Sequence, residues 1–383
     1  MLDQLPSDTL GKIIANLLHV DLKSLSLVSY RLRAVTLPFL FRSPIFICPD
    51  GHDDQEALLR LKGLAASKPI LPLVHRLTIS GKPLSSTFLR PPPLDRRRPL
   101  MAYTVTPYII SLPFPNLRRL SLNDLPLDNA FLLALIDLAT RKEIELYLTR
   151  CRISIDPRPI TAFELRIVTF AAMRGVVSDS IGSHRDIVYN IISASSRHLR
   201  TLGLCSDLLD PIDRLLQIKF DSLRILQLHG APIHTGRIFS STLSKVLRHL
   251  GSLDKLILWQ GLMVDPEILF EGAPDPPHYN SLDASYQVCR MLVPNNTVTS
   301  LHCRCSILEE LEITKGEERK LIAIIEEGLP KNQKPLHGLG IPVCGQEDRT
   351  LASITSMCSG SLESFSLHVP IGVSRMGIRD VVT

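Results

Sequence analysis

The densest run of residues able to do chemistry is "LHCRC", which places His302, Cys303 and Cys305 side by side. Imidazole and thiolate are ligands of structural zinc, but such a site takes its other half from a second cysteine or histidine pair. Cys289 stands by itself, so these residues read as thiols and an imidazole of a strand. Gly81-Lys82 lacks the preceding glycine of a phosphate-cradling loop, and neither Gly-x-Ser-x-Gly nor His-Glu-x-x-His occurs. Cys344, next to Gly345, and Cys358 are single thiols of the kind that fill cores. Trp259 ends "LDKLILWQ", a place that suits a partner hot spot and equally a seal over the core. His229 and His234, in "QLHGAPIH", fall at a strand end, where imidazole is normally solvated. No residue takes a catalytic, cofactor-binding or metal-ligating assignment, and neither enzyme activity nor a cofactor is expected.

Composition points to a protein that must bury a large leucine-rich interior. Of 383 residues, 45% are hydrophobic and only 5% aromatic, an ordinary globular balance in which leucine does most of the filling. The net charge of +5 is mild and the basic residues are scattered, which gives a nucleic-acid partner little support. "MLDQLPSD" carries acids where a secretory signal needs a basic segment and then an apolar one. The eight cysteines are therefore expected as reduced thiols in the cytoplasm or nucleus, and the sequon Asn295-Asn296-Thr297 as irrelevant. No apolar run approaches the roughly 18 residues of a membrane span, so no membrane partner is expected.

The elements that would position a site begin with helices. Asp8 is placed to cap one in which Leu10, Ile13, Ile14, Leu17 and Leu18 form a single stripe. Asp21 is placed to cap a second, running through "LKSLSLVSYRLRAV", with two stripes: Leu22, Leu25, Val28 and Leu32 on one side, Leu27, Tyr30 and Ala34 on another. A short third piece covers Leu37 to Phe41. Such a small bundle buries too little surface to stand alone. Its second stripe must pack on the rest of the chain or meet another protein. A DNA-reading helix pair is the third option, but Lys23, Arg31 and Arg33 are too few for it.

These residues resemble an F-box. Leu5-Pro6, Asp8, Leu10, Ile13, Asp21-Leu22, Leu25-Ser26-Leu27-Val28 and Arg31 follow that family's order and spacing over roughly residues 1 to 42. Ser29 and Leu32 stand where the family often has Cys and Trp, which makes the surface less aromatic. The resemblance implies docking to the Skp adaptor of a cullin-RING ubiquitin ligase, with Leu5, Pro6, Ile13, Leu25 and Val28 at the interface.

After a helix expected from Gln55 to Ala66, with Leu58, Leu59, Leu61 and Leu64 as its apolar positions, a new pattern sets in. Leucine, two residues, apolar, one residue, apolar recurs in "LRRLSL" (117–122), "LRTLGL" (199–204), "LRILQL" (223–228), "LDKLIL" (253–258), "LEELEI" (308–313) and "LESFSL" (362–367). Weaker copies are "VHRLTI" (74–79) and "LHGLGI" (336–341). Each ends in the period-two alternation of a half-buried strand, and several precede a helical stretch: Asn129 to Ala139, Ser240 to Leu250, Glu317 to Glu327, Glu347 to Met357. These units resemble leucine-rich repeats, whose faces are buried by stacking. The gap from 253 to 308 exceeds one unit, and the asparagine or cysteine expected after each strand is mostly missing. Inserted loops are expected at Ser85 to Pro107, including the proline-rich "RPPPLDRRRP", and at Glu271 to Ser285.

The expected fold is thus α/β: an N-terminal helical F-box followed by an irregular leucine-rich-repeat solenoid, or horseshoe. Its expected divisions are an F-box-like domain at 1–45, a helical linker at 46–70 and repeats at 71–383. The resemblances imply a substrate-recognition subunit of an SCF-type ligase that binds the Skp-type adaptor, through it a cullin, and an unknown protein substrate. The alternative is a non-catalytic repeat scaffold whose N-terminal helices only cap the solenoid.

Overall fold

The computed structural model describes residues 4–48, 54–81, 114–123, 125–149, 151–154, 164–171, 181–205, 208, 213–229, 240–251, 253–258, 279–285, 289, 293, 297–304, 335–342 and 360–368. The expected strand at 308–313, the helices at 317–327 and 347–357, and the loop at Ser85 to Pro107 lie outside them. The chain is α/β, with eight α-helices among the described residues. It divides into two compact units, the first holding residues 1–168 and 173–188, the second 169–172 and 189–383.

The first unit opens with α1 (Ser7–Ile14), α2 (His19–Ser26) and α3 (Tyr30–Leu40), of which α1 and α2 both pack on α3. Strand β1 (Ile45–Cys48) and helix α4 (Asp54–Ala66) follow, so the stretch expected as a helical linker holds a strand as well. In α4, Leu61 and Leu64 are buried and Leu59 is exposed. Then come β2 (Arg76–Gly81), β3 (Arg119–Asn123), β4 (Pro126–Asp128), α5 (Asn129–Lys142), β5 (Glu145–Thr149) and β6 (Arg152–Ser154). The order β1-β2-β3-β5 is parallel throughout, and β4 pairs with β6 alone.

Strand β7 (Ile167–Ala171) and helix α6 (Ile181–Ser195) are both cut by the division between the units. The second unit continues with β8 (Thr201–Cys205), α7 (Asp213–Gln217), β9 (Ile225–His229), α8 (Ser240–Leu250), β10 (Leu253–Leu258), β11 (Tyr279–Ser285), β12 (Ser300–Arg304), β13 (Gly338–Pro342) and β14 (Ser364–His368). From β8 to β14 every neighbour is the next strand in the chain, and every pair is parallel.

The alternate apolar residues explain the register. In the first unit Leu77, Leu120 and Leu146 stand opposite one another, as do Ile79, Leu122 and Leu148. In the second, one row runs Leu202, Leu226, Leu256, Leu282, Leu301, Leu339, Phe365. The leucines of these rows are buried, while the residues between them on β3, β5 and β9 are only half-buried, so on these three strands one face is packed more closely than the other. Helix α8 ends at Gly251, whose φ of 63° turns the chain straight into β10.

One expectation needs correction: the loop expected at Glu271 to Ser285 ends in β11, which with β12 fills the long gap after β10. The run "LHCRC", whose thiols and imidazole read as those of a strand, begins inside β12, where Leu301 and Cys303 are buried and His302 between them is half-buried.

Gly203 on β8 meets buried Thr169 on β7 so closely that a Cβ added there would lie 2.5 Å from the threonine Cγ2. Gly203→Ala therefore costs about 1–3 kcal/mol by overpacking, read as a lowered denaturant midpoint. The alternation predicts a sharper contrast on β9. Leu226→Ala loses about 2–5 kcal/mol, whereas its neighbour Gln227→Ala changes stability by no more than about 0.5 kcal/mol, both measured by denaturant unfolding.

Candidate docking surface on the N-terminal helices

Sequence periodicity predicts one long second helix, and the structure breaks it. Helix α2 stops at Ser26, and Ser29 adopts extended backbone with its hydroxyl accepting a hydrogen bond from the Leu32 amide at 3.2 Å, which caps α3. The two apolar stripes therefore belong to two helices with different axes. The expected short third piece is the end of α3, which contains Pro38. Asp8 and Asp21 do not cap: they sit inside the first turns of α1 and α2, behind Pro6 and Leu18. A carboxylate there still favours the helix by meeting its positive end.

Leu10, Ile14, Leu22 and Leu32 form the buried centre of the bundle, with Leu17, Leu25, Val35, Phe39 and Leu40 packed around it. Little apolar material remains for the interior once these are counted. Leu27 is 85% exposed, Val28 70% and Tyr30 89%, all within the turn between α2 and α3 and the first residue of α3. The Arg31 guanidinium donates to the Leu5 carbonyl at 2.8 Å, fastening the Leu5-Pro6 segment to that end of α3. An apolar rim of Leu5, Pro6, Leu27, Val28 and Tyr30 results.

The five residues singled out for adaptor docking divide in two. Pro6, Val28 and Ile13, the last 38% exposed, lie at the surface. Leu5 is half-buried, and Leu25 is half-buried against the bundle core. Arg31 brings Leu5 and Pro6 toward the turn that holds Val28, while Ile13 stands on α1. Sequence reasoning missed exposed Leu18 and Val20, because Leu17 and Leu18 continue the period of α1. The helix stops earlier: the Asn16 and Leu17 amides donate to the Ile13 and Ile14 carbonyls, each at 3.1 Å, a tightened last turn, and the Asn16 side-chain amide donates to the Lys12 carbonyl at 2.8 Å.

Among the described residues, Cys151, Cys205, Cys289 and Cys303 are buried thiols outside any disulfide. A hydrogen bond with Cys303, then burial, then the charge of Asp283 hold the Cys289 thiol well above its ordinary pKa. With no metal beside it, a thiol so held stays protonated at neutral pH. Among the described residues, no three His, Cys, Asp or Glu side chains are grouped to hold a metal ion, and no helix is long and apolar enough to cross a membrane. Cys305, Lys82, His234, Trp259, Cys344 and Cys358 lie outside the described residues.

No protein-family model matches the chain, and no curated protein matches it in sequence. The F-box and repeat resemblances rest on the residues quoted above.

Removing the cap between the helices tests the break directly. Ser29→Ala is expected to cost about 1 kcal/mol and Ser29→Gly only a few tenths, read as local protection of the α3 amides in hydrogen exchange.

Proposed function

We propose that this chain is a substrate-recognition adaptor of an SCF-type cullin-RING ubiquitin ligase, acting in the cytoplasm or nucleus. Helices α1 to α3 serve as the F-box that docks the Skp-type adaptor and, through it, a cullin. The strand runs serve as an irregular leucine-rich-repeat horseshoe that holds a protein target. The chain has no active site of its own in this reading. It works by tethering, which raises the concentration of the target near the ubiquitin-charged enzyme.

The observation that carries the reading is the apolar rim of Leu27, Val28 and Tyr30 beside Leu5-Pro6. Helices that merely cap a solenoid present a polar outer face, and these present leucine, valine and tyrosine. For the repeats, support comes from the leucine rows and from Cys151, which follows β5 and donates from its thiol to the Leu122 carbonyl of β3 at 3.2 Å. That thiol does the work expected of the asparagine or cysteine that ends a repeat strand.

The test is co-purification of the tagged full-length chain with the Skp adaptor and cullin from cells. Wild type recruits both. Leu5→Ala/Pro6→Ala and, separately, Val28→Asp are expected to lower recovery at least about tenfold, as truncation of a buried interface residue does, with circular dichroism unchanged. Wild-type protein that never brings down the adaptor would sink the reading and leave the capped scaffold.

A further inference from the structure

Two buried thiols meet where β11 passes into β12. Leu204, Leu228 and Leu258 form a second buried row on β8 to β10, and the strands that follow continue it with Ala284 and Cys303, which stand opposite each other. A methyl and a thiol in place of two leucine side chains leave room above the sheet. Cys289 uses that room. Its thiol donates to the Ala284 carbonyl at 3.5 Å and shares a hydrogen bond with the Cys303 thiol, and both cysteines are wholly buried. The Val293 amide donates to the Cys289 carbonyl at 3.0 Å, a helical turn that fixes the backbone at Cys289, and Val293 is buried as well. Cys151 makes the contrast. Its thiol meets the backbone carbonyls of Leu122 at 3.2 Å and Thr149 at 3.6 Å. A metal ion is not the natural occupant, since among the described residues no third His, Cys, Asp or Glu is grouped with the two thiols to hold one.

We infer that Cys289 and Cys303 are a modification site, a thiol pair that the fold holds ready to close into a disulfide when hydrogen peroxide reaches it. One sulfur, giving up its proton, attacks the peroxide O–O bond and becomes a sulfenic acid, while the hydroxide released takes that proton and leaves as water. The second thiol then displaces the sulfenic hydroxyl as another water, and the S–S bond forms. Two electrons pass from the sulfurs to the peroxide. Hydrogen peroxide is small enough to enter by local opening, whereas a bulky disulfide such as oxidised glutathione would need far more of the core exposed. Because the Cys289 thiol is held protonated, closure is slow at neutral pH and quickens as pH rises. The bond closes the loop 289–303 and ties it to β12, where the same burial shields it from large reductants. It is a lasting lock and not a quick sensor.

The test treats the folded full chain with hydrogen peroxide at mildly alkaline pH, blocks the remaining thiols after unfolding, and maps tryptic peptides by mass spectrometry without reductant. Trypsin cuts after Arg304 and so separates Cys303 from Cys305. A linked Cys289–Cys303 peptide, lighter by two hydrogens, should exceed every other cysteine pair at least about tenfold, because the fold holds these two thiols at high effective concentration. Cys305→Ser should leave that yield unchanged. Recovery of both cysteines as thiols or as sulfinic acids, a preferred link from either to Cys305, or an equal excess in chain unfolded with guanidinium before oxidation would overturn the inference. None of these outcomes bears on adaptor recruitment, so the two proposals fail separately.

Discussion

A row of leucines in parallel register is the constraint on which the rest of this protein depends. Because side chains alternate across a strand, a slip of one residue would turn every leucine of the row Leu202 to Leu339 to the open face. Parallel sheets are ordinarily covered on both faces. In this chain the positions between the leucines on β3, β5 and β9 are half-buried, while the leucines themselves are buried. Strand β8 departs from that rule. It is buried at every position, and there a glycine lets a threonine approach its backbone.

The helices before the strands obey a different economy. Their shared centre is four residues with a few partly covered neighbours, while leucine, valine and tyrosine of comparable size are left in water around the α2–α3 turn. Nothing in helix formation demands that arrangement, since the same backbone would tolerate polar residues at Leu27 and Tyr30. On the proposed reading, a docked partner accounts for it.

Much of this was legible in the sequence, and the failures have identifiable causes. The strands of the leucine pattern at β3, β8, β9 and β10 were found, and the expected alternation of a half-buried strand holds on β3 and β9 but not on β8 or β10, where the second face is largely buried as well. Helices α4, α5 and α8 were found as well. Strands β1, β5, β7 and β11 were overlooked: "YNSLDAS" carries too few apolar residues for alternation to stand out, and only its neighbours' register makes it a strand. The thiols of "LHCRC" read as those of a strand, and Leu301 and Cys303 are buried in β12. The broken helix had a visible signal, serine followed three residues later by the amide it caps, but the apolar period ran through it unbroken. For the docking surface, sequence selected Pro6, Ile13 and Val28, which are exposed, and did not separate them from Leu25, which leans on the core.

The small centre of the N-terminal bundle has one more consequence. On the docking proposal, a folded state held by so little buried surface would draw part of its stability from the protein that covers its exposed rim, by mass action. The folded fraction of these helices would then rise and fall with the supply of the covering protein. A chain made in excess of that supply would be the one most exposed to proteases.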